Sequence, residues 1–328
     1  MNNKKSISVI LPNYNGKHLM EKFIPSTLEA LALSQVEYEF IIIDDCSKDE
    51  SVAFIEGNYP NFILLKNEIN NGFSKTCNKG INHASKDLIF LLNSDVQLTP
   101  SYFENQFQYF SDINTFGVMG RIMNFDGKNI EDTARLPYYK GGKFKANKFY
   151  YTEGDSNTFT TYLSGANALI DREKILLLNG FDEIYSPFYF EDFDLGLRAW
   201  KMGWFCYYDH QSYCYHQVSS STGKVNKGNS VKVIYNRNSF LLQSIHLEGT
   251  KRVLWFVQLL TLTLLGHLLK GEFWILKSLR EFIAQKNKVA QSKFATQSLQ
   301  RKLGSNYNLN HIIATIGKSI VNKNVKWL

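Results

Sequence analysis

The first 95 residues alternate short apolar runs with longer segments of helical character, and this alternation constrains the fold more than any other feature. The apolar runs occupy residues 6–11, 38–43, 62–65 and 88–92, and residues 74–84 and 101–110 have the composition of helices. Short apolar runs bounded by turns predict strands buried on both faces. Strands alternating with helices predict a mainly parallel sheet with right-handed crossovers. The sequence therefore predicts an α/β fold with a Rossmann-like mixed sheet flanked by helices.

The run at residues 88–92 ends abruptly in polar residues. Five apolar residues are followed at once by Asn93, Ser94 and Asp95. In an open α/β sheet, ligands bind just beyond the carboxyl ends of the strands. Asp95 is therefore a candidate to hold a metal or a ligand. The alternative from the residues alone is that Asp95 merely starts a turn before Pro100.

The turn after the first strand argues against dinucleotide binding. It reads Pro-Asn-Tyr-Asn-Gly at residues 12–16 and lacks the pattern G-x-G-x-x-G. Without that glycine loop, no pyrophosphate is cradled by a helix N-terminus there. A diphosphate bound by this chain would need another neutralising group, and a divalent metal is the natural candidate.

A second acidic centre lies at residues 190–200. Glu191, Asp192 and Asp194 precede or begin an amphipathic helix. One of the two aspartates could simply be the N-cap, but three acids exceed what a cap requires. The helix dipole at this position favours a charged carboxylate, which suits a base. His216 follows at a strand end, where it is either a metal ligand or a packed histidine.

The C-terminal part of the chain is strongly basic and partly apolar. Residues 251–328 hold 13 Lys and Arg against two acids, which gives +11, whereas the whole chain carries +7. We expect residues 231–328 to form a basic helical extension of a domain spanning residues 1–230. Residues 253–269 contain no charged side chain other than His267, and three interpretations stay open: a packed helical cap, peripheral membrane contact, or a spanning helix. Nucleic acid is not an expected partner, because we find no recognition motif for it.

The order and spacing of several short motifs over about 220 residues identify a family resemblance. The chain resembles glycosyltransferase family 2, the inverting GT-A-fold enzymes with nucleotide-sugar donors, and within it the bacterial rhamnosyltransferase-like branch. The matching segments are residues 9–15 (VILPNYN), 43–49 (IDDCSKD), 71–80 (NGFSKTCNKG), 91–96 (LLNSDV), 180–183 (GFDE), 191–198 (EDFDLGLR), 203–204 (GW) and 215–216 (YH).

The resemblance implies roles for individual residues. It places Pro12, Tyr14 and Asp45 against the nucleotide base, and Gly72 and Asn78 in the segment lining the nucleotide pocket. Two further sets follow from the motifs: the metal and diphosphate residues are Asn93, Asp95 and His216, and the catalytic residues are Asp192, as the base, and Glu191 beside it. Asn93 stands where the family's D-x-D motif has its first acid, and an amide is a weaker metal ligand than a carboxylate.

The resemblance also implies an activity. Mn²⁺ or Mg²⁺ would assist transfer of a hexosyl or rhamnosyl group from a UDP- or dTDP-sugar to a glycan or lipid-linked acceptor, in bacterial surface polysaccharide synthesis. A cytoplasmic location is expected, with peripheral contact to the inner face of the cytoplasmic membrane left open. Residues 124–160 are expected to be a variable loop over the site. The alternatives are a catalytically silent glycan- or partner-binding module of the same fold, and a nucleotidyltransferase, whose usual glycine-rich basic loop is missing here.

Overall fold

The centre of the molecule is a mixed sheet. The structure is a computed structural model and describes residues 5–154, 157–217 and 228–328. Within these residues the strands are β1 (Ile7–Asn13), β2 (Tyr38–Asp44), β3 (Ile63–Lys66), β4 (Leu88–Leu92), β5 (Val96–Leu98), β6 (Thr115–Asn124), β7 (Ile130–Asp132), β8 (Ala134–Lys140), β9 (Lys143–Thr152), β10 (Thr158–Phe159), β11 (Asn167–Asp171), β12 (Phe205–His216) and β13 (Val325–Trp327). The main sheet has the order β10-β12-β6-β11-β4-β1-β2-β3, with β5 paired to β12 and β7 to β6, while β8, β9 and β13 form a second sheet.

The strands of the first 95 residues are parallel, as predicted. β1 pairs with β2 and with β4, and β2 pairs with β3, all in parallel. β11 then inserts antiparallel between β4 and β6. Because Asn13 is in register with Asp44, the carboxyl ends of these strands meet at one edge of the sheet. The prediction of a mainly parallel, mixed α/β sheet is confirmed.

Helices cover both faces of the sheet. They are α1 (Lys17–Ser34), α2 (Ser51–Asn58), α3 (Phe73–His83), α4 (Arg172–Leu177), α5 (Glu191–Lys201), α6 (Asn229–His246), α7 (Gly249–Gln258), α8 (Leu265–Leu269), α9 (Trp274–Ala284), α10 (Lys286–Lys302) and α11 (Leu309–Ser319). Alternate strand residues face opposite sides. Ile10 therefore joins the buried cluster that contains Ile81 of α3, and Val9 joins the one that contains Met20 of α1.

The predicted helical extension is present and packs against the sheet domain. α6 buries most of its second half, and Phe240, Leu241 and Ile245 belong to the same buried cluster as Ile10. That cluster continues to Ile316 of α11. The division of the chain at residue 230 stays a prediction.

Two local predictions are wrong. Residues 124–160 contain β7, β8, β9 and β10 instead of an irregular loop. β8 and β9 form an antiparallel hairpin closed at Gly141 and Gly142, in which polar and buried residues alternate, as at Lys143 and Phe144. Residues 101–106 form turns and 107–111 a 3₁₀-helix instead of the expected α-helix, and the adjacent Tyr102 and Phe103 are both buried there.

The apolar segment that precedes Lys270 is helical and largely exposed. α7 continues through a π-helical turn at Leu259–Leu264 into α8. Among the described residues, this helix of 21 residues at Gly249–Leu269 is the one whose length and composition would allow it to cross a membrane. Only 17% of its apolar window is buried in the protein. Leu262 and Leu269 are 70% and 80% exposed.

Candidate active site

A cavity of about 480 Å³ lies at the carboxyl ends of β1, β2 and β4. It brings together most of the residues predicted from the sequence. Eight of the ten line its wall: Pro12, Tyr14, Asp45, Gly72, Asn93, Asp95, Glu191 and Asp192. The position agrees with the rule that ligands of open α/β sheets bind beyond the carboxyl strand ends.

Asp45 orders the loop that forms one side of this cavity. Its Oδ1 accepts hydrogen bonds from Nδ2 of Asn67 and from the backbone N–H of Asn71, both at 2.8 Å. Its Oδ2 accepts from the backbone N–H of Gly72 at 2.9 Å. Gly72 has a φ of +80°, and a Cβ there would lie 3.0 Å from the backbone of Pro187. The loop therefore requires glycine at this position.

Asn78 does not line the cavity, so the structure contradicts its predicted place there. Its Oδ1 accepts from the backbone N–H of Phe181 at 2.8 Å, and its Nδ2 donates to the carbonyl of the same residue at 2.9 Å. Because both ends of the amide are used in this way, Asn78 fastens the segment after α4 to α3. The segment of sequence that contains it does approach the cavity, through Gly72, Phe73 and Thr76.

Asp95 and His216 lie together, but His216 does not line the cavity. Oδ2 of Asp95 is 3.5 Å from Nε2 of His216, and Nδ1 of the ring is 2.8 Å from Oε2 of Glu131. Burial favours the neutral ring, but hydrogen bonds to the two carboxylates and their charges outweigh it and raise the pKa of His216 to about 9. A metal bound to this ring would have to displace its proton. Glu131 was not predicted, because it lies in the region expected to be a loop.

The donor set beside Asp95 fits a metal that is shared with a substrate. Oδ1 of Asp95 is buried and has no hydrogen-bond partner among the described residues, so it could coordinate an ion. No three His, Cys, Asp or Glu side chains cluster as a ready-made site within residues 5–154, 157–217 and 228–328. Mg²⁺ and similar hard ions commonly bind through one or two carboxylates together with substrate phosphates and water. Asp95, with the amide of Asn93 on the same wall, matches that arrangement.

Asp192 lies in the first turn of α5, as predicted, but its charge state differs from our expectation. Its Oδ2 accepts a 3.0 Å hydrogen bond from the backbone N–H of Gly165, and its Oδ1 is buried and has no partner in the described part of the chain. Burial raises the pKa of Asp192 to about 6. Burial, and then the charge of Asp192, raise the pKa of Glu191 to about 8. Desolvation therefore outweighs the helix N-terminus.

Asp194, the third acid, is structural. Its carboxylate accepts from Nε of Arg198 at 2.6 Å, from Nε2 of His246 at 2.8 Å and from the hydroxyl of Tyr185 at 3.2 Å. Burial would raise its pKa, but these partners, Arg198 first, lower the pKa to about 2. Neither aspartate is the N-cap, which is Phe190. The capping alternative is therefore wrong.

The backbone just before Glu191 adopts an unusual conformation. Tyr189 and Phe190 both have a φ of +76°, which is costly for bulky side chains. Nδ2 of Asn238 in α6 donates to the carbonyls of Tyr185, Phe188 and Tyr189 at 2.6, 2.9 and 2.9 Å. The C-terminal helix α6 thus holds the segment that positions Glu191. Nothing in the sequence around Asn238 indicated this role.

A second cavity of about 350 Å³ lies on the other side of the two acids. Glu191 and Asp192 line it as well, so they separate it from the first cavity. The β8–β9 hairpin forms the opposite wall through Arg135, Lys143 and Lys145. The two cavities therefore adjoin at these acids, of which Oε2 of Glu191 and Oδ1 of Asp192 form no hydrogen bond with the described residues.

Comparison with known proteins agrees with this site. The family model described as "Glycosyl transferase family 2" matches residues 8–176, slightly more than half of the chain. The fold and site therefore define a glycosyltransferase with a GT-A fold, and the chain belongs to glycosyltransferase family 2.

One relative and two solved structures illustrate the similarity. The N-acetylglucosaminyl-diphospho-decaprenol L-rhamnosyltransferase of Mycobacterium tuberculosis is 24% identical over 317 residues, covering 88% of this chain and 98% of the relative. GalNAc-T7 with UDP, GalNAc and Mn²⁺ superposes with a TM-score of 0.64 at 13% identity, covering 98% of this chain but 58% of that longer chain. The mannosyltransferase PcManGT of Pyrobaculum calidifontis, in complex with GDP-Man and Mn²⁺, gives 0.55 at 14% identity and covers 98% and 88% of the two chains. The structural neighbours support the fold alone.

Proposed function

We propose that this protein is an inverting transferase that moves a hexosyl or rhamnosyl group from a UDP- or dTDP-sugar to a hydroxyl of a lipid-linked glycan, in the synthesis of a bacterial surface polysaccharide. The observation that carries the proposal is the position of Asp192 between two cavities. The Mycobacterium tuberculosis relative, which matches along nearly its whole length, is named for rhamnosyl transfer to a diphospho-decaprenol acceptor.

In this proposal the two cavities hold the two substrates. The donor occupies the cavity of Pro12, Tyr14 and Asp45, and the acceptor hydroxyl enters from the cavity of Lys143. Oδ1 of Asp192 has no partner, so it is free to accept the hydroxyl proton. The acceptor oxygen forms a bond to the anomeric carbon, the bond from that carbon to the diphosphate breaks, and the nucleoside diphosphate leaves. One displacement from the opposite face inverts the anomeric configuration.

Asp95 and His216 are the residues that would hold Mn²⁺ or Mg²⁺. Such an ion, when bound, stabilises the negative charge that develops on the leaving diphosphate. The free Oδ1 of Asp95 supports this assignment. Asn93 offers an amide oxygen where a carboxylate would bind more strongly, so we expect only moderate affinity for the ion.

Membrane contact is the remaining part of the proposal. The exposed side of α7 and α8 carries Val253, Val257, Leu262 and Leu269, each more than half exposed. Lys251, Arg252 and Lys270 flank this apolar surface. An apolar helix face with flanking basic residues is typical of binding to an anionic bilayer surface. We infer peripheral contact with the inner face of the cytoplasmic membrane, where a lipid-linked acceptor would be met.

A donor screen tests the proposal. Purified protein with Mn²⁺ is mixed with UDP-, dTDP- and GDP-sugars, and both the thermal shift and the release of nucleoside diphosphate are recorded. We expect a shift with one class of donor, and its loss in Asp95→Ala. Asp126→Asn, at an exposed position in the β6–β7 turn, serves as the control. A folded protein that binds no donor would contradict the proposal and favour a silent binding module.

A further inference from the structure

The second cavity contains two lysines that have no acidic partner. Lys143 and Lys145 both line it, and neither ammonium forms a hydrogen bond or an ion pair with the part of the chain that the structure describes. Arg135 differs, because it forms an ion pair with Asp132 through Nη2 at 2.6 Å. Burial, and then the charge of Lys145, lower the pKa of Lys143 to about 8. A half-buried ammonium without a partner is costly unless a ligand supplies negative charge.

The hairpin holds the two lysines rigidly. They are two residues apart on β9, so their side chains leave the same face of the strand. Phe144 between them is fixed by both ends of one amide: its N–H donates to Oε1 of Gln243, and its carbonyl accepts from Nε2 of Gln243, each at 2.9 Å. The backbone between the two lysines is therefore held in place, and a site for an anion requires such a fixed support.

The rest of the cavity fits a sugar. Tyr162 and Phe193 stack with ring centroids 4.8 Å apart, and Phe190 and Tyr235 contact each other at 5.0 Å. All four residues line the cavity with Glu191 and Asp192. Aromatic rings and carboxylates suit a sugar ring and its hydroxyl groups, whereas two ammonium groups on the opposite wall suit an anion attached to that sugar.

The tip of the hairpin contacts the exposed apolar helix. The N–H of Gly142 donates to Oε1 of Gln258 at 3.0 Å, and a Cβ at Gly142 would lie 2.2 Å from the backbone of Trp255. These contacts lie on the buried side of α7, where Trp255 is 2% exposed, so Lys143, the next residue, lies close to the helix whose opposite side carries the apolar face. An acceptor with its lipid on that face would bring its linking phosphates to the lysines.

On these grounds we infer that Lys143 and Lys145 bind the phosphate or diphosphate that links the acceptor sugar to its lipid carrier. This inference rests on the proposed function. It assigns the acceptor an anionic group at a defined place, and it makes Lys143 and Lys145 residues that select for a phosphate-bearing acceptor.

The test is a binding measurement that needs neither the donor sugar nor turnover. Geranyl diphosphate is the probe, geraniol its phosphate-free match, and inorganic diphosphate its lipid-free match. Titration calorimetry in EDTA compares the wild type with a Lys143→Gln/Lys145→Gln double variant. Lys148→Gln is the control, because Lys148 is exposed on the same strand and packs on Tyr138. The variant Asp95→Ala is included because weaker binding of the probe to it would show that the probe binds in the donor cavity.

We expect geranyl diphosphate to bind the wild type and to bind the double variant about tenfold more weakly or worse, since each lost charge-assisted hydrogen bond costs about one factor of ten. Geraniol should bind weakly and without dependence on the lysines. The inference would be overturned if geranyl diphosphate did not bind the wild type, or if it bound the double variant as tightly as the wild type. It would also be overturned if only Asp95→Ala lost binding of this probe. If inorganic diphosphate bound as tightly as geranyl diphosphate, the inference that the anion belongs to a lipid-linked acceptor would be wrong. Donor binding, measured separately, decides the proposed function whatever the outcome here.

Discussion

Asn238 in α6 donates its side-chain amide to the carbonyl of Tyr189 at 2.9 Å, two residues before the first acid of α5. The same amide reaches the carbonyls of Tyr185 and Phe188. A residue of the C-terminal helices therefore supports the backbone of the candidate active site. The cost of positive φ at Tyr189 and Phe190 is offset by contacts that lie far away in sequence.

Asn238→Ala should impair both stability and transfer. The carbonyls of Phe188 and Tyr189 would lose this donor and that of Tyr185 would keep only Arg237 at 3.5 Å, and we expect the free energy of unfolding to fall by about 1–3 kcal/mol. The value of kcat should fall as the segment before Glu191 loosens. Asn236→Ala is the matched control, because Asn236 is half-buried on the same helix and, among the described residues, its side chain donates to the carbonyl of Lys232 one turn earlier. Equal effects of the two substitutions in denaturant melts and rate assays would refute the supporting role.

Asp192→Asn should reduce kcat by about 10²–10⁴, which is the usual contribution of a general base. The asparagine oxygen can still accept from Gly165, so the affinity for nucleoside diphosphate should stay close to that of the wild type. Steady-state rates and a donor titration test this together. If this variant transferred the sugar at the wild-type rate, Asp192 would not be the general base.

The rate and the stability should respond to pH in opposite directions. Asp192 acts as a base only when ionised, so kcat/KM should rise as the pH increases through about 6. The pKa of Asp192 is raised above its ordinary value of 3.8, so the folded state binds the proton more tightly than the unfolded state. Its contribution to the free energy of unfolding is therefore greatest at low pH and declines between pH 4 and about 6.

Asp192→Asn removes this titration and supplies the reference. Compared with the wild type, the variant should become relatively more stable as the pH rises from 4 to 7. Chemical denaturation at several pH values measures the difference, and the comparison cancels the titrating groups that do not interact with Asp192; Glu191, whose pKa the charge of Asp192 raises, titrates above this range in the wild type. A constant difference across this range would show that the pKa of Asp192 is not raised.

Asn93→Asp should tighten metal binding. A carboxylate would replace an amide beside the free Oδ1 of Asp95, and carboxylates bind Mn²⁺ and Mg²⁺ more strongly. We expect the metal concentration for half-maximal activity to fall several-fold, whereas Asp95→Ala should abolish the metal response. Activity measured against buffered Mn²⁺ after chelation checks both. An unchanged metal requirement in Asn93→Asp would place Asn93 outside the metal site.

A Leu262→Glu/Leu269→Glu double variant should weaken binding to anionic vesicles by about tenfold or more, since each buried apolar side chain contributes about 1.5–3 kcal/mol. Leu33→Glu is the control, because Leu33 is 60% exposed on α1, outside this helix. Co-sedimentation with phosphatidylglycerol vesicles measures the effect. If both variants sedimented equally with the vesicles, the helical segment of α7 and α8 would not be the part of the protein that contacts the membrane.

The parallel strands and the residues at their ends could be predicted because local pattern determines them. Leu88 to Leu92 are all buried, and a run of five apolar residues indicates such a strand. The β8–β9 hairpin was missed because its apolar residues alternate with lysines and tyrosines, and it pairs outside the main sheet. Its position beside Asp192 depends on Gln243, more than 90 residues away.

Dependence on contacts between residues far apart in the sequence also explains what was missed within the site. The acids at 191 and 192 were visible as a cluster, but their raised pKa values come from burial that only the packed structure has. Asn78 was assigned to the nucleotide pocket because its segment resembles the one that lines this pocket in the family, while its own side chain bonds to the backbone of Phe181. A motif locates a segment, but side-chain direction within it depends on the partners that the fold supplies.

The pairing of β13 with β9, in which Val325 is in register with Thr152, has a consequence for biosynthesis. β9, which carries Lys143 and Lys145, leaves the ribosome long before β13 and the C-terminal helices that pack against the hairpin. The sheet at β1, β2 and β4 can assemble from residues made early, whereas the wall facing Asp192 must wait for the last helices and strand. We therefore expect the donor half to mature first during translation, with competence for the second substrate acquired only after β13 and these helices have been synthesised.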